Sequence, residues 1–180
     1  MKFTSLELNG LVLIEPKLLS DSRGYFFESW HEKKFAEGGL KLNFVQDNES
    51  CSSKGVLRGF HFQIPPYEQG KLVRVIKGAA LDVVVDIRKK SPTYGKHYKV
   101  VLDDKQRNML WIPAGFAHGF LSMQDDTVFV YKCTGFYDKA SEKGILWNDP
   151  DLNIDWGVSS PLVSEKDLEL MRIKDLPEYF

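Results

Sequence analysis

Short apolar segments rich in β-branched and aromatic residues follow one another along most of this chain. The clearest contains Leu81, Val83, Val85 and Ile87, and their spacing of two predicts a strand that packs one face. Glycine or proline separates several of these segments, as Gly78 does. The predicted strands are Leu11–Glu15, Gly24–Glu28, Phe44–Asn48, Val56–Phe62, Lys71–Ile76, Ala79–Ile87, Lys96–Leu102, Asn108–Ile112, His118–Met123 and Thr127–Cys133. This pattern is typical of a sandwich or barrel.

Two helical segments interrupt the strand pattern. Ser29 and Glu32 have the spacing of a capping box, and Gly38 followed by Gly39 predicts the end of that helix. A second helix is predicted to begin at residues 164–167, near the C-terminus. Because strands dominate, the sequence favours an all-β fold, a β-sandwich or jelly roll with short peripheral helices.

Composition narrows the class of protein. The 180 residues suit one domain spanning residues 1–180, and 43% hydrophobic residues exclude a disordered chain. A net charge of -1 with dispersed Lys and Arg gives no reason to expect nucleic-acid or membrane partners. No apolar run is long enough to cross a bilayer, and the first residues lack a signal-peptide pattern. We therefore expect a cytoplasmic protein in which Cys51 and Cys133 are reduced thiols.

Three polar residues on predicted strands suggest a chemistry. His61 lies within the segment Arg58–Gln63, Lys71 begins the next strand, and Tyr131 lies in a later one. A base, a fixed cation and a phenol are the groups needed for proton abstraction beside a carbonyl. One takes the proton, one neutralises the enolate oxygen, and one returns a proton. Taken singly, each residue also fits a structural role, such as a strand-edge lysine or a packed aromatic.

A metal centre is a competing interpretation. The turn and strand start at Pro113–Phe120, which contains His118, resembles the second motif of the cupin jelly rolls. In metal-binding cupins the first motif supplies two histidines separated by one residue, but here Gln63 stands where the second would be. His31 and His97 belong to other segments. The ligand set is therefore incomplete, and we expect no metal and no cofactor.

Several segments together are similar to one family. With His61, Lys71, His118 and Tyr131 in register, the chain resembles the dTDP-4-dehydrorhamnose 3,5-epimerase family from about residue 11 to about residue 166. The matching segments are Asp21–Glu28, Gln46–Asn48, Val56–Gln63, Lys71–Val75, Val84–Arg88, Trp111–Phe120 and Leu162–Asp167. The resemblance implies a cupin-type double-stranded β-helix, or jelly roll. It also implies epimerisation at C3 and C5 of a dTDP-4-keto-6-deoxyhexose, in dTDP-L-rhamnose biosynthesis.

The resemblance implies roles for four catalytic residues. His61 would be the base, Lys71 would hold the enolate charge at O4, and Tyr131 would reprotonate the opposite face. Asp167 would be the partner that fixes the histidine tautomer. Asp167 also follows Ser164 by three residues, so serving only the start of the helix is its competing role.

The same resemblance implies a binding set and an assembly. Tyr137 would stack on the thymine ring, and the family is a homodimer in which the Arg23 region completes the neighbouring subunit's site. The implied substrate-binding residues are Arg23, Glu28, Gln46, Asn48, Arg58, Lys71, His118, Tyr137, Glu142 and Lys166.

Other activities remain open at this point. A sister enzyme of the same fold would invert only C3 or only C5 of another dTDP-4-keto sugar. A 3,4-ketoisomerase would require protonation at oxygen, and a metal-dependent oxygenase lacks its ligands. A nucleotide-sugar-binding cupin without catalysis is the last alternative, and the presence of base, cation and phenol together opposes it.

Strict alternation along one strand conflicts with these roles. Arg58 and His61 are three residues apart, so a regular strand would place them on opposite faces. Both are expected at the same pocket. Gly59 lies between them, and we predict a bulge or other irregularity there that turns both side chains to one face.

Overall fold

Thirteen strands and very little helix make up this protein, whose computed structural model describes residues 1–180. The strands are β1 (Lys2–Ser5), β2 (Val12–Glu15), β3 (Leu19–Asp21), β4 (Gly24–Phe26), β5 (Gln46–Ser52), β6 (Leu57–Gln63), β7 (Lys71–Lys77), β8 (Ala79–Asp86), β9 (His97–Asp103), β10 (Met109–Ile112), β11 (Phe116–Ser122), β12 (Thr127–Cys133) and β13 (Glu142–Gly144). The helices are α1 (Glu32–Glu37) and α2 (Glu165–Leu168), with a 3-10 turn at Ile173–Asp175. None of these helices has the length and apolar character that a membrane span requires.

Two antiparallel sheets form a jelly roll. One has six strands in the order β1-β2-β10-β7-β12-β5, and the other has five in the order β13-β6-β11-β8-β9. Strands β3 and β4 form a separate hairpin. Neighbours in each sheet are mostly distant in sequence, as β2 beside β10 shows, so the chain crosses repeatedly between the sheets. Because successive side chains on a strand alternate, each sheet sends one set of residues toward the other.

One hydrophobic core lies between the sheets, and two further clusters lie on their outer faces. Val73, Val75 and Phe129 from the larger sheet meet Val84 and Phe120 from the smaller one. The C-terminal segment covers the outer face of the smaller sheet, and α1 covers one end of the larger sheet through Phe35. Three packed layers therefore fix the two sheets face to face.

The period-two pattern predicted β8 and its packed face correctly. Val83, Val85 and Ile87 are buried beneath the C-terminal segment, and Leu81 packs partly against the same cluster. The intervening inward positions are not all apolar, since Asp82 is fully buried among them. The pattern thus identified the strand and its outer face, while the inner face mixes core and polar residues.

Strand boundaries differ from the prediction where the sequence is polar. The predicted strand Phe44–Asn48 is observed at Gln46–Ser52, because this edge strand is defined by its pairing with β12 and not by apolar residues. The short strands β1, β3 and β13 were not predicted. Each has only three or four residues and pairs with a single neighbour, so its sequence has little periodicity.

One helix start was predicted correctly and the other was wrong. The N-cap of α2 is Ser164, whose side-chain oxygen accepts a hydrogen bond from the Asp167 N–H. The N-cap of α1 is His31 and not Ser29, and no side chain caps that end. Because Phe35 is completely buried, packing places this helix without a capping box. Its C-cap is Gly38, as predicted.

The predicted irregularity at Gly59 is confirmed. His61 pairs with His118 and Arg58 pairs with Phe120, so β6 has one more residue than β11 over this stretch. Gly59 and Phe60 lie opposite the single residue Gly119, and Gly59 has a φ of +125°, a value that residues with side chains rarely adopt. The bulge turns Arg58 and His61 to the same cavity.

Gly59→Ala should destabilise the protein by about 2–4 kcal/mol, because strain at positive φ adds to overpacking. The new Cβ would lie 2.5 Å from the Gly119 Cα and 2.8 Å from the His118 carbonyl oxygen. Gly55→Ala is the matched control, since Gly55 also has positive φ but no neighbour within 4 Å. Denaturant unfolding measures both free energies. Equal losses in the two variants would contradict the tight packing of β6 against β11.

Candidate active site

A cavity of about 790 Å³ opens between the two sheets. Most of the residues that line it are polar or charged, unlike those of the apolar core behind it. The lining includes all four residues expected to be catalytic and most of those expected to bind substrate. These residues are Gln46, Asn48, Arg58, His61, Lys71, His118, Tyr131, Tyr137, Glu142, Lys166 and Asp167.

Opposite walls of the cavity come from opposite sheets. His61 on β6 and His118 on β11 belong to the five-stranded sheet, and they are direct neighbours across the ladder. Asn48 on β5, Lys71 on β7 and Tyr131 on β12 belong to the six-stranded sheet. A ligand held between the sheets therefore has imidazole on one side and ammonium and phenol on the other.

His61 forms a close pair with a carboxylate that lies far away in sequence. Its Nε2 is 2.6 Å from Oδ1 of Asp167, and the other oxygen of Asp167 accepts from the Gly59 N–H at 3.3 Å. The Asp167 side chain is buried, while that of His61 is 27% exposed toward the cavity. One imidazole nitrogen is thus fixed by the carboxylate, and the other is left for a ligand.

Several contacts keep Asp167 ionised. Burial acts to raise its pKa, but the hydrogen bond and charge of His61 and the N–H of Gly59 outweigh it, and the net shift is downward. The Ser164 hydroxyl contributes in the same direction. Asp167 therefore stands as an anion beside His61, and it serves the start of α2 as well.

Asp167 should make stability depend on acid pH. Its pKa is lower in the folded protein than the value of about 3.9 for an unfolded aspartate. The stabilisation is therefore present above about pH 4 and lost as pH falls through the folded-state pKa. Asp167→Asn should remove this part of the acid dependence of the unfolding free energy. Exposed Asp47, which pairs with Lys132, provides the control through Asp47→Asn. An unchanged acid dependence in Asp167→Asn would contradict the assignment.

Lys71 and Tyr131 lie on neighbouring strands and point into the same space. Lys71 pairs with Cys133, and Tyr131 pairs with Val73, so the two side chains are diagonal neighbours on one face. The Lys71 Nζ lies 5.7 Å from the centre of the Tyr131 ring. Burial lowers the pKa of Lys71, because protein surrounds its ammonium, and burial raises the pKa of Tyr131. The phenol therefore keeps its proton, as a proton donor must.

A second cluster of polar side chains lies at the rim of the cavity. Glu142 on β13 accepts hydrogen bonds from the Tyr137 hydroxyl and from the Lys166 ammonium. Gln46 accepts from the Tyr137 backbone N–H at 2.9 Å. Tyr137 is 51% exposed as a residue, so its ring is accessible to a planar partner. Lys166 directly precedes Asp167, so α2 joins the rim to the histidine pair.

Two of the expected binding residues lie outside this cavity. Arg23 is at the tip of the β3–β4 hairpin, with 88% of its side chain exposed and Asp21 as its partner. Glu28 pairs with Lys34 beyond the hairpin. Within one chain, therefore, the structure brings neither residue to the site.

Two buried polar residues were not identified from sequence as parts of the site. Gln63 accepts a hydrogen bond from the Asp138 N–H and so supports the loop that carries Tyr137. Asp82 lies 2.7 Å from the Nε2 of His118, and both side chains are buried. A carboxylate at an inward position of a mostly apolar strand was the available signal. Across the chain, no group of three or more His, Cys, Asp or Glu side chains is placed to hold a metal ion.

A jelly roll that holds imidazole, carboxylate, ammonium and phenol around one cavity defines an acid–base enzyme of the cupin fold. The chain belongs to the dTDP-4-dehydrorhamnose 3,5-epimerase family, whose sequence profile matches residues 5–175. The fold, the family and the enzyme class expected from the sequence are therefore confirmed.

Individual relatives give the same picture. A dTDP-4-dehydrorhamnose 3,5-epimerase from Shigella flexneri is 50% identical over 181 residues, covering 100% of this chain and 99% of that protein. A dTDP-6-deoxy-D-glucose-3,5-epimerase from Legionella pneumophila, solved in complex with dTDP-4-keto-L-rhamnose, is 42% identical in sequence. Its crystal structure superposes with a TM-score of 0.93, and the match covers 98% of this chain and 94% of that chain. A dTDP-4-dehydrorhamnose 3-epimerase from Streptomyces niveus is 39% identical, covering 97% and 85%.

Proposed function

We propose that this protein converts dTDP-4-dehydro-6-deoxy-D-glucose to dTDP-4-dehydro-L-rhamnose by inverting C3 and C5, without a cofactor. The observation that carries the proposal is the His61–Asp167 pair on one wall of the cavity, opposite Lys71 and Tyr131 on the other. Family membership supports the same reaction. Both carbons are adjacent to the C4 ketone, so one set of groups can act on each in turn.

The first half of each inversion is proton removal. The free nitrogen of His61 takes the proton from C3 or C5, and the electron pair of that C–H bond moves to the ketone oxygen. Asp167 stabilises the imidazolium that forms. The Lys71 ammonium faces the oxygen that becomes negative, and such a preorganised donor is worth about 3 kcal/mol of barrier. The ketone itself is the electron sink.

The second half is protonation from the other face. Tyr131 donates its phenolic proton to the carbon, the enolate returns to the ketone, and the stereocentre is inverted. Because burial raises the pKa of Tyr131, the phenol is protonated at neutral pH. His61 then loses its proton and Tyr131 regains one through solvent, so atoms and charge balance over the cycle.

The rim supports a nucleotide site. We assign the exposed ring of Tyr137 to stacking on the base, and Arg58 and Lys166 to binding the diphosphate. The remaining parts of the nucleotide-sugar would contact Gln46, Asn48, His118 and Glu142. The Legionella pneumophila relative in complex with dTDP-4-keto-L-rhamnose supports a ligand of this class. The unpaired thiols of Cys51 and Cys133 fit the cytoplasm as the compartment.

Turnover in D2O tests the reaction. The protein incubated with dTDP-4-dehydro-6-deoxy-D-glucose should place deuterium at both C3 and C5, which proton NMR of the product detects. Deuterium at one carbon would instead assign a single-site epimerase, the class named for the Streptomyces niveus relative. No deuterium with ligand still bound would assign a nucleotide-sugar-binding protein.

We also propose a homodimer in which each site is completed by the partner. The β3–β4 hairpin supports this, because Tyr25 is 54% and Phe26 is 65% exposed beside Arg23. Apolar side chains exposed on a two-stranded hairpin are typical of an interface. Arg23 and Glu28 would then reach the neighbouring cavity instead of their own.

Mixing two inactive variants tests the shared site. We expect His61→Ala and Arg23→Ala each to be impaired, and their mixture to recover activity after dissociation and reassociation. In the mixed dimer, the site with intact His61 receives an intact Arg23 from the other subunit. Each mixed dimer then has one complete site of its two, and random reassociation makes about half of the dimers mixed, so the recovered activity should approach about one quarter of that of the unaltered protein. A mixture no more active than its components would contradict a shared site.

A further inference from the structure

The cavity contains a second histidine–carboxylate pair that the reaction steps above do not use. His118 lines the cavity next to His61 across the β6–β11 ladder. Its Nε2 lies 2.7 Å from Oδ2 of Asp82, which has no exposed surface. The arrangement thus repeats that of His61 and Asp167, with the pair buried deeper in the barrel.

Asp82 is an unfavourable residue for this position on stability grounds. It lies on β8 between inward-facing Ala80 and Val84, which belong to the apolar core between the sheets. Its second oxygen, Oδ1, is buried and accepts no hydrogen bond from the protein. A buried carboxylate with one unsatisfied oxygen costs stability, and such groups concentrate at functional sites.

We propose that Asp82 is a positioning residue for the epimerisation: it fixes the His118 ring so that the other ring nitrogen faces the sugar. This inference rests on the proposed function. Because a carboxylate can only accept, it selects the tautomer of neutral His118 that carries its proton on Nε2. The remaining nitrogen, Nδ1, then carries no proton and can only accept a hydrogen bond from the ligand.

The surroundings of His118 leave Asp82 as the group that can fix it. Phe129 faces the ring at 6.0 Å between centroids, and Val84 is its neighbour on β8. Neither offers a hydrogen bond, and His61, its neighbour on β6, is bonded to Asp167. Asp82 is therefore the side chain that the structure places to orient this ring.

Asp82→Asn tests this role with almost no change in shape. An amide can accept or donate, so the tautomer of His118 is no longer fixed. We expect kcat to fall about 10-fold to 100-fold, by analogy with residues that hydrogen-bond and orient metal-bound histidines, with a smaller change in KM. In a His118→Gln background the same substitution should have no further effect on kcat. An equal loss in both backgrounds would overturn the proposal.

The ring nitrogens give a readout that does not depend on turnover. Nitrogen-15 NMR of neutral His118 should show the Nε2-protonated tautomer in the unaltered protein and a mixture in Asp82→Asn. Asp86→Asn is the matched control, because Asp86 is buried on the same strand but bonds Arg88, Ser91 and Thr93. It should lower Tm while leaving the His118 tautomer and kcat unchanged.

These measurements separate failure of the inference from failure of the function. An Nδ1-protonated His118 in the unaltered protein overturns the inference, even if Asp82→Asn does not fold. So does a loss of kcat in Asp86→Asn equal to that in Asp82→Asn. Absence of turnover by the unaltered protein on the dTDP-4-keto sugar would overturn the proposed function, while the tautomer result would stand.

Discussion

His61→Ala should abolish hydrogen exchange at both C3 and C5, with kcat reduced about 100-fold to 10,000-fold, the range for a positioned acid or base. The reason is geometric: His61 faces the cavity opposite Tyr131, with Asp167 bonded behind it at 2.6 Å. Since both carbons share one ketone, one base serves both positions. The measurement is deuterium incorporation at each carbon in D2O, followed by NMR.

Two variants sharpen this result. Tyr131→Phe removes the phenol on the other wall, so it should impair net inversion more than initial exchange. His97→Ala is the control, because His97 lies on β9 at the edge of its sheet, outside the cavity. It should retain full activity. Continued exchange at one carbon in His61→Ala would show that a second base serves that carbon.

Lys71→Met should lower kcat about 100-fold to 1,000-fold, the effect of removing one preorganised donor to an oxyanion. The thermal stability of Lys71→Met, in contrast, should be unchanged or higher. Lys71 makes no ion pair, and burial lowers the pKa of its ammonium, so its charge costs stability at neutral pH. Methionine fills the same space without the charge. We therefore expect an unchanged or higher Tm with strongly reduced turnover, measured by steady-state kinetics and thermal unfolding.

The neighbouring strand offers a matched control for Lys71. Lys132 on β12 points away from the cavity and pairs with Asp47 on the surface. Lys132→Met makes the same chemical change and should leave kcat unaltered. If Lys71→Met and Lys132→Met lose activity equally, or if Lys71→Met loses activity only by unfolding, the oxyanion role is contradicted.

Local patterns in the sequence predicted much of the fold. Alternation predicted β8 and Ser164 predicted the start of α2, and both depend on residues close together in the chain. The irregularity at Gly59 was predicted by combining strand alternation with the family roles of Arg58 and His61. The prediction was wrong at Ser29, because burial of Phe35 and not a capping side chain places α1.

Long-range packing explains what the sequence patterns left out. Strand β5 has an almost purely polar sequence and forms because its backbone pairs with that of β12. Asp82 was overlooked because the alternation of side chains shows on which face of a strand a residue lies, but not which residue of another strand it contacts. The family resemblance supplied Asp167 as the partner of His61, a pairing that spans 106 positions and that no local pattern contains.

The sequence by itself determined that this chain is built from strands, that its family is the dTDP-4-dehydrorhamnose 3,5-epimerases, and which side chains are chemically suited to acid–base work. Only the tertiary structure decided that His61 and Tyr131 line opposite walls of one cavity, and that His118 is hydrogen-bonded to Asp82. The physical reason is that residue spacing sets the direction of a side chain within its strand, whereas sheet pairing and packing set which side chains meet across the barrel.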